Sequence, residues 1–276
     1  MAKVAVTRDY LEDIADSIRL RGGFSSQYKP SQMAAAIENI PRDADHSAED
    51  AIIDRTISGA YENSRVMSIG SNAFQYCSSL TTASFSACTN IGSYAFYSCI
   101  SLTAASFPAC TSIGSNAFAY CLSLTTASFP ACTSIGSNAF AYCLGLTTVS
   151  FPVCTNIGSY AFSYCQKLTA ASFPACTSIG SNAFAYCLSL TTVSFPVCTN
   201  IGSYAFQRCN TFISLYLLGS TVATLANSNA FNSTPFMGYV SSTSGVWGSI
   251  YVPASLLASY KAATNWAYYS NRFVGV

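Results

Sequence analysis

A 22-residue period runs through the middle of the chain and constrains its fold more than any other feature. Isoleucine recurs at every 22nd position from Ile69 to Ile201, and a phenylalanine follows each isoleucine by five residues. Cysteine, leucine, a second phenylalanine and a second cysteine recur with the same spacing. A fixed period of this length predicts stacked units, none of which buries its apolar face alone. We therefore predict a solenoid of seven coils.

Each copy contains one segment typical of a β-strand and one return segment. In the copy LTTASF (124–129), Leu124, Ala127 and Phe129 have the spacing of the inward residues of a leucine-rich repeat strand. Proline follows this strand in most copies and helps to end it, because proline has no backbone N–H to donate. In the return segment IGSNAF, we expect glycine to take the turn and the Ala-Phe pair to pack inward.

The repeated pattern IGSxAFxxCxxLTxxSFPxC resembles the bacterial leucine-rich repeats of the BspA type, which occur on bacterial surface proteins and in phage-borne proteins. The resemblance covers about residues 67–217. FPAC or FPVC stands here where the family commonly has a longer turn, and this shortens the coil. The resemblance implies an open, curved solenoid with a strand-lined face and an adhesive or recognition role, but it identifies no ligand.

The segments on either side of the repeats lead to a division of the chain into four parts. We predict an N-terminal helical hairpin (1–45), a linker with an N-terminal cap (46–66), the repeat solenoid (67–217) and a C-terminal cap (218–276). The predicted fold class is thus an α/β, strand-lined leucine-rich repeat solenoid of seven 22-residue coils, with a helical hairpin before it and a cap after it.

The two flanking segments carry their own helix signals. Thr7 is placed to cap a first hairpin helix, and Pro30 and Pro41 bracket a second one. This hairpin is similar to leading segments of proteins from Firmicutes and their phages. In the C-terminal cap, Pro253 and the run 254–263 predict a short helix with Leu256, Leu257 and Tyr260 on one side.

The distribution of charge limits the partners and the location. All eleven acidic residues lie between Asp9 and Glu62, and the formal net charge of +1 gives no long-range attraction to nucleic acid. No apolar run approaches the roughly 18 residues that cross a bilayer, so we expect no membrane insertion. The first residues turn acidic before a signal-peptide core forms. We expect a virion or an extracellular surface, with the cytoplasm or a removed leader as alternatives.

Thirteen cysteines raise the question of disulfides, metal binding or catalysis. Thirteen cannot all pair, and Cys121 and Cys132 flank a strand that holds them too far apart for a bridge. The cysteines are eleven residues apart, and neither acidic residues nor the single histidine, His46, lie within the repeats. We therefore expect each cysteine to be a small apolar core residue, with no metal, no cofactor and no enzymatic activity.

Two rows of outward side chains remain as candidate binding residues. The first row consists of threonine and serine hydroxyl groups, which can form hydrogen bonds with sugar hydroxyls. The second row consists of tyrosines, which offer rigid amphipathic contact area. The strand-face row comprises Thr82, Ser84, Thr126, Ser128, Thr148, Ser150, Thr192 and Ser194, and the tyrosine row comprises Tyr120, Tyr142, Tyr164 and Tyr186. The alternative interpretation is that both rows are only the polar surface of a self-similar array.

The leading functional hypothesis is a non-enzymatic recognition or attachment protein associated with a phage tail. Residues 1–45 would dock to the particle or to a second copy, and the solenoid would face a glycan or protein on a bacterial surface. The alternatives are a bacterial cell-surface adhesin without its leader and a structural spacer without a ligand of its own.

Overall fold

A computed structural model describes residues 58–237 and 247–276. The predicted hairpin (1–45) and most of the predicted linker and N-terminal cap (46–66) lie outside these residues. The described strands are, in chain order, β1 (Gly59–Glu62), β2 (Ser68–Ile69), β3 (Leu80–Ser84), β4 (Asn90–Ile91), β5 (Ala104–Ser106), β6 (Ser112–Ile113), β7 (Thr126–Ser128), β8 (Ser134–Ile135), β9 (Thr148–Ser150), β10 (Asn156–Ile157), β11 (Ala170–Ser172), β12 (Ser178–Ile179), β13 (Thr192–Ser194), β14 (Asn200–Ile201), β15 (Ser214–Tyr216), β16 (Thr224–Leu225), β17 (Ser249–Val252) and β18 (Phe273–Gly275).

The strands form two parallel sheets, to which each coil of the solenoid contributes one strand apiece. Sheet A has the order β1-β3-β5-β7-β9-β11-β13-β15-β17-β18, and sheet B has the order β16-β14-β12-β10-β8-β6-β4-β2. Residues 22 positions apart are paired throughout the repeats, as in Ser106 with Ser128 and Ile113 with Ile135. This register confirms the predicted leucine-rich repeat solenoid.

The core between the sheets is built from the residues that the period singled out. Leu124 and Phe129 are fully buried on either side of β7, and Ala127 packs against them. Phenylalanines form two rows along the core; in the row from Phe74 to Phe206 neighbouring ring centroids are 4.7 to 5.3 Å apart and the rings are nearly parallel. Between the two rows the rings meet edge to face, for example Phe118 against Phe129. Stacking therefore buries an aromatic surface that no single coil could cover.

The repeated glycine has a different role from the one expected. A side chain on Gly136 would place its Cβ 2.6 Å from the carbonyl carbon of Gly114 and 2.7 Å from the backbone nitrogen of Ser115. Glycine is therefore needed for the close approach of neighbouring coils, because any Cβ would strike the preceding backbone. The left-handed turn conformation is adopted instead by asparagine and tyrosine, as at Asn138 and Tyr142, whose φ angles are 57° and 61°.

Threonine side chains join neighbouring coils outside the strands. The hydroxyl of Thr133 donates to the carbonyl of Thr111, 22 residues earlier, at 3.0 Å, and its backbone N–H donates to the same oxygen. The hydroxyl of Thr125 donates in the same way to the carbonyl of Thr103. These threonines lie at the surface, where their hydrogen bonds continue the sheet ladders into the turns.

The last coil is covered by a short helical segment. A 3₁₀ turn (Ala254–Leu256) leads into helix α1 (Leu257–Ala262), which confirms the predicted helix. Tyr260 is fully buried, and the indole of Trp266 donates to the carbonyl of Ala223 at 2.6 Å. Further 3₁₀ segments are Ser228–Phe231, Pro235–Met237 and Trp266–Arg272. This segment covers the apolar end of the last coil and supplies hydrogen-bond partners to its backbone, as a following coil does elsewhere in the solenoid.

Candidate binding surfaces

The strand-face row lies on the outer side of sheet A, where side chains alternate with core residues. On β9, Thr148 and Ser150 are exposed and Val149 between them is buried. Thr126, Ser128, Thr192 and Ser194 are exposed in the same way, while Thr82 and Ser84 on β3 are half-buried. The register aligns the serines into an unbroken column from Ser84 to Ser194. The threonine column is interrupted by Ala104 and Ala170.

This face continues beyond the candidate residues on strands β3 to β13. Ser214 and Tyr216 on β15 pair with Thr192 and Ser194, and they pair in turn with Ser249 and Tyr251 on β17. The rings of Tyr216 and Tyr251 are stacked, with centroids 4.4 Å apart and planes at 10°. The spacing of serine and tyrosine two residues apart in both strands was the sequence signal for these positions. Hydroxyl groups thus give way to aromatic rings at one end of the strand face.

The tyrosine row lies at a corner of the coil and is held by left-handed backbone. Tyr120, Tyr142, Tyr164 and Tyr186 all have φ angles of 61° or 62°. Their rings are stacked face to face, with centroids 4.6, 4.5 and 4.3 Å apart along the row. The guanidinium of Arg208 lies 5.6 Å from the ring centre of Tyr186 and ends the row. Because neighbouring rings cover each other's faces, the row presents ring edges and hydroxyl groups to solvent.

The row loses its regularity at the second coil. Tyr97 and Ser98 stand where most other copies have a small or polar residue followed by tyrosine. The ring of Tyr97 meets Tyr76 at 90° and Tyr120 at 61°, with centroids 5.7 and 5.5 Å away.

Burial, followed by the charges of the neighbouring phenols, raises the pKa of Tyr97. Burial and the hydroxyl of Tyr186 likewise raise the pKa of Tyr164. These phenols therefore stay neutral at physiological pH and act as hydrogen-bonding groups.

The prediction that the cysteines are buried core residues is confirmed. All thirteen are buried, and those from Cys88 to Cys209 are free thiols. In the row from Cys99 to Cys209, each thiol donates to the carbonyl of the phenylalanine 25 residues earlier, as from Cys121 to Phe96 at 3.1 Å. In the other row, each thiol donates to a carbonyl two residues later, as from Cys132 to Ser134 at 3.2 Å. The cysteines are hydrogen-bond donors to core backbone as well as apolar filling.

The electrostatics of these thiols oppose nucleophilic chemistry. Burial raises the pKa of Cys132 to about 12, and it raises the pKa of Cys121 and Cys143 well above the ordinary value. A reactive cysteine needs a cation, a helix N-terminus or a metal to stabilise its thiolate. Within residues 58–237 and 247–276, no three His, Cys, Asp or Glu side chains are grouped as metal ligands.

The repeats match a known family along most of the chain. The family model described as BspA type leucine rich repeat region (6 copies) matches residues 57–169 and 133–246. The chain belongs to the BspA-type leucine-rich repeat family. A comparison with curated protein sequences gave no match. Among the described residues, no helix has the length and apolar character needed to cross a membrane.

Three solved structures show the same solenoid fold. A leucine-rich repeat protein of T. pallidum is 28% identical, with a TM-score of 0.52, and the match covers 55% of this chain and 77% of that chain. A leucine-rich cell surface protein from Faecalibacterium prausnitzii is 24% identical, with a TM-score of 0.52, and the match covers 69% and 59%. A leucine-rich repeat protein from Bacteroides ovatus is 22% identical, with a TM-score of 0.53, and the match covers 76% and 63%. The chain thus spans less than two thirds of the last two proteins.

Proposed function

We propose that the protein is a non-enzymatic recognition or attachment protein, which presents the outer face of sheet A to a glycan or protein on a bacterial surface. The observation that supports this most is the uniform chemistry of that face. From Ser84 on β3 to Tyr251 on β17, its outward positions carry hydroxyl groups, alanine methyl groups and aromatic rings, with no charged side chain. A neutral, hydrogen-bonding surface of this kind suits an extended polar ligand better than a small substrate in a closed pocket.

The absence of suitable catalytic groups in the repeats favours binding over catalysis. Glycoside hydrolysis requires a pair of carboxylic acids, and residues 63–276 contain no acidic side chain. The buried thiols are held neutral and bonded to backbone carbonyls, so they are poor nucleophiles. Stacked repeats form the extended surfaces that solenoid proteins use for binding, which agrees with a binding role.

The test is saturable binding of the full chain to bacterial envelopes and to a panel of immobilised glycans. The variant Ser172→Arg/Ser194→Arg places two large charged side chains on exposed positions of the strand face, the second of them beside Tyr216, and should abolish binding. The matched control Asn90→Arg/Asn156→Arg adds the same charge at exposed positions of sheet B and should bind like the wild type. Wild-type protein that binds no envelope and no glycan would leave the spacer hypothesis standing instead.

We further propose that the protein is part of a phage particle, to which residues 1–45 dock. This proposal predicts that the full chain sediments with purified particles and that a chain lacking residues 1–45 does not. Equal incorporation of both chains would contradict this docking role. A bacterial adhesin would instead be found on the cell surface in the absence of any particle, which cell fractionation distinguishes.

A further inference from the structure

The outer face of sheet A ends in a group of side chains unlike those of the repeats. We name the C-terminal aromatic face by its six residues: Ser214, Tyr216, Trp247, Ser249, Tyr251 and Arg272. Tyr216 and Tyr251 are paired across β15 and β17 and are stacked. Trp247 precedes β17 by two residues and is 46% exposed. Aromatic rings and a cation therefore appear at the point where the hydroxyl lattice ends.

The position of Trp247 follows from the alternation of side chains and from Gly248. A Cβ on Gly248 would meet the ring of buried Phe236 at 2.6 Å, so residue 248 faces the core. Ile250 is buried on the same side, and Trp247 and Ser249 consequently face outward with Tyr251. Trp247 and Tyr251 are four residue positions apart along extended backbone, a distance of roughly 13 Å. Trp247 thus lies just before β17 and Tyr251 lies near its end, with the hydroxyl of Ser249 between them.

Arg272 is fixed over Trp247 by contacts on both sides. Its guanidinium carbon lies 4.1 Å from the centre of the indole ring, and its Nε donates to the carbonyl of Phe236 at 3.1 Å. A guanidinium has five N–H donors, so further donors remain available. No acidic residue follows Glu62 in the sequence. Among the described residues, the partners of this cation are an aromatic ring and a carbonyl, and an anion would complete its coordination.

The stacked tyrosines leave one ring face open towards the serine column. The centroid separation of 4.4 Å is close to the spacing of neighbouring strands, so each ring turns its faces along the sheet. Tyr251 covers one face of Tyr216. On the other side Tyr216 pairs with Ser194, whose side chain is too small to cover the second face. An apolar face of a sugar ring can pack there while its hydroxyls reach the serines.

We propose that the C-terminal aromatic face binds an oligosaccharide that carries a carboxylate, with one sugar ring on Tyr216 and the carboxylate on Arg272. The proposal rests on the recognition function proposed above and assigns it a site and a ligand class. The separation of the aromatic elements fits an oligosaccharide better than a single sugar, and the sugars between them would bond to Ser214 and Ser249. Uronic acids and sialic acids share this chemistry.

The experiment measures binding of the full chain by calorimetry with matched charged and neutral probes. The uronic acid probe is an oligogalacturonate, with its methyl ester as the neutral counterpart. The sialic acid probe is sialyllactose, with lactose as its neutral counterpart. We expect at least one acidic probe to bind more tightly than its neutral counterpart, and added salt to weaken that binding. Equal affinity for both members of each pair would overturn the assignment of Arg272.

Variants separate the two parts of the site. Arg272→Gln should weaken binding of the acidic probe by about tenfold or more, and Arg272→Lys should recover part of the loss. Trp247→Ala and Tyr216→Ala should each weaken it by about tenfold. Tyr268→Ala and Lys261→Gln change exposed residues of the same cap that are not among the six of this face, and they should leave affinity unchanged. Unchanged affinity in Arg272→Gln and Trp247→Ala would refute the site.

Envelope binding distinguishes failure of this site from failure of the proposed function. If Arg272→Gln and Trp247→Ala still bind envelopes like the wild type, the recognition function stands and the site is wrong. If the wild type binds neither envelopes nor probes, both proposals fail. Periodate oxidation of the envelopes destroys sugar diols and should abolish capture; capture that survives this treatment would indicate a protein ligand and overturn the saccharide assignment.

Discussion

Raising the pH should unfold the solenoid at the point where its buried thiols would ionise. Burial raises the pKa of ten core cysteines, which include Cys88 and Cys154 at about 11 and Cys110 and Cys132 at about 12. The remaining six are Cys121, Cys143, Cys165, Cys176, Cys187 and Cys198. In the unfolded chain these thiols return to an ordinary value of 9.0. Because the folded pKa is the higher one, this stabilisation is complete below about pH 9 and is lost as the pH rises through the folded values.

The expected loss of stability at high pH is large because the buried cysteine is repeated in every coil. At about pH 10, one unit above the unfolded pKa, each thiol that must stay neutral in the fold costs on the order of 1 kcal/mol. Ten such thiols together lower the free energy of unfolding by on the order of 10 kcal/mol, which is comparable to the 5–15 kcal/mol typical of whole domains. We therefore expect cooperative loss of structure between about pH 9 and pH 11, in reducing buffer.

The assay follows far-ultraviolet circular dichroism and thiolate absorbance in the same sample, with urea denaturation at each pH. The slope of the unfolding free energy against pH should fall by about three tenths in Cys110→Ala/Cys132→Ala/Cys154→Ala, which removes three of the ten thiols. Tyr142→Phe/Tyr164→Phe controls for phenol ionisation and should keep the wild-type slope below about pH 10. Thiols that ionise near pH 9 while the dichroism stays unchanged would refute the reasoning.

Two further predictions concern the core and the contact between coils. Phe140→Ala should lower the free energy of unfolding in urea by about 3–5 kcal/mol and Phe140→Leu by less than about 1.5 kcal/mol; equal losses would argue against ring stacking as the source. Gly136→Ser should cost about 1–3 kcal/mol or more in thermal unfolding, because its Cβ strikes backbone. Gly145→Ser should be nearly neutral, since Ser189 occupies the equivalent position, and a similar loss in both variants would contradict the backbone-contact explanation.

The solenoid could be predicted from the sequence because its core depends on the period alone. Residues such as Leu124 and Phe129 are buried because each coil stacks on a copy of itself. Their recurrence at a fixed period was therefore sufficient to predict the core. The role of Gly136 was not visible, because turn glycines and close-contact glycines look alike in a sequence. Their distinction depends on the distance between two backbones, which the pattern does not contain.

The thiol hydrogen bonds and the C-terminal aromatic face were missed for related reasons. Cys121 reads as a small apolar residue, and only the path of the backbone shows that the carbonyl of Phe96 lies within its reach. Tyr251 meets Tyr216 through pairing of β17 with β15, after the 22-residue spacing has ended. A pairing of this kind depends on how the irregular segment between the strands folds back, and no repeat predicts it.

Because the coils share one register, the solenoid can gain or lose a coil and so change its length. Neighbouring coils pair through positions 22 residues apart, and residues 127–162 and 171–206 differ only at Gly145 and Ser189. A coil gained or lost by recombination between such copies would leave each remaining contact as it was. It would move the C-terminal aromatic face by about 4.8 Å relative to the first strand. The length of the solenoid can therefore change while the contacts between coils and the residues of the C-terminal aromatic face stay the same, as in an extendable arm that carries a fixed tip.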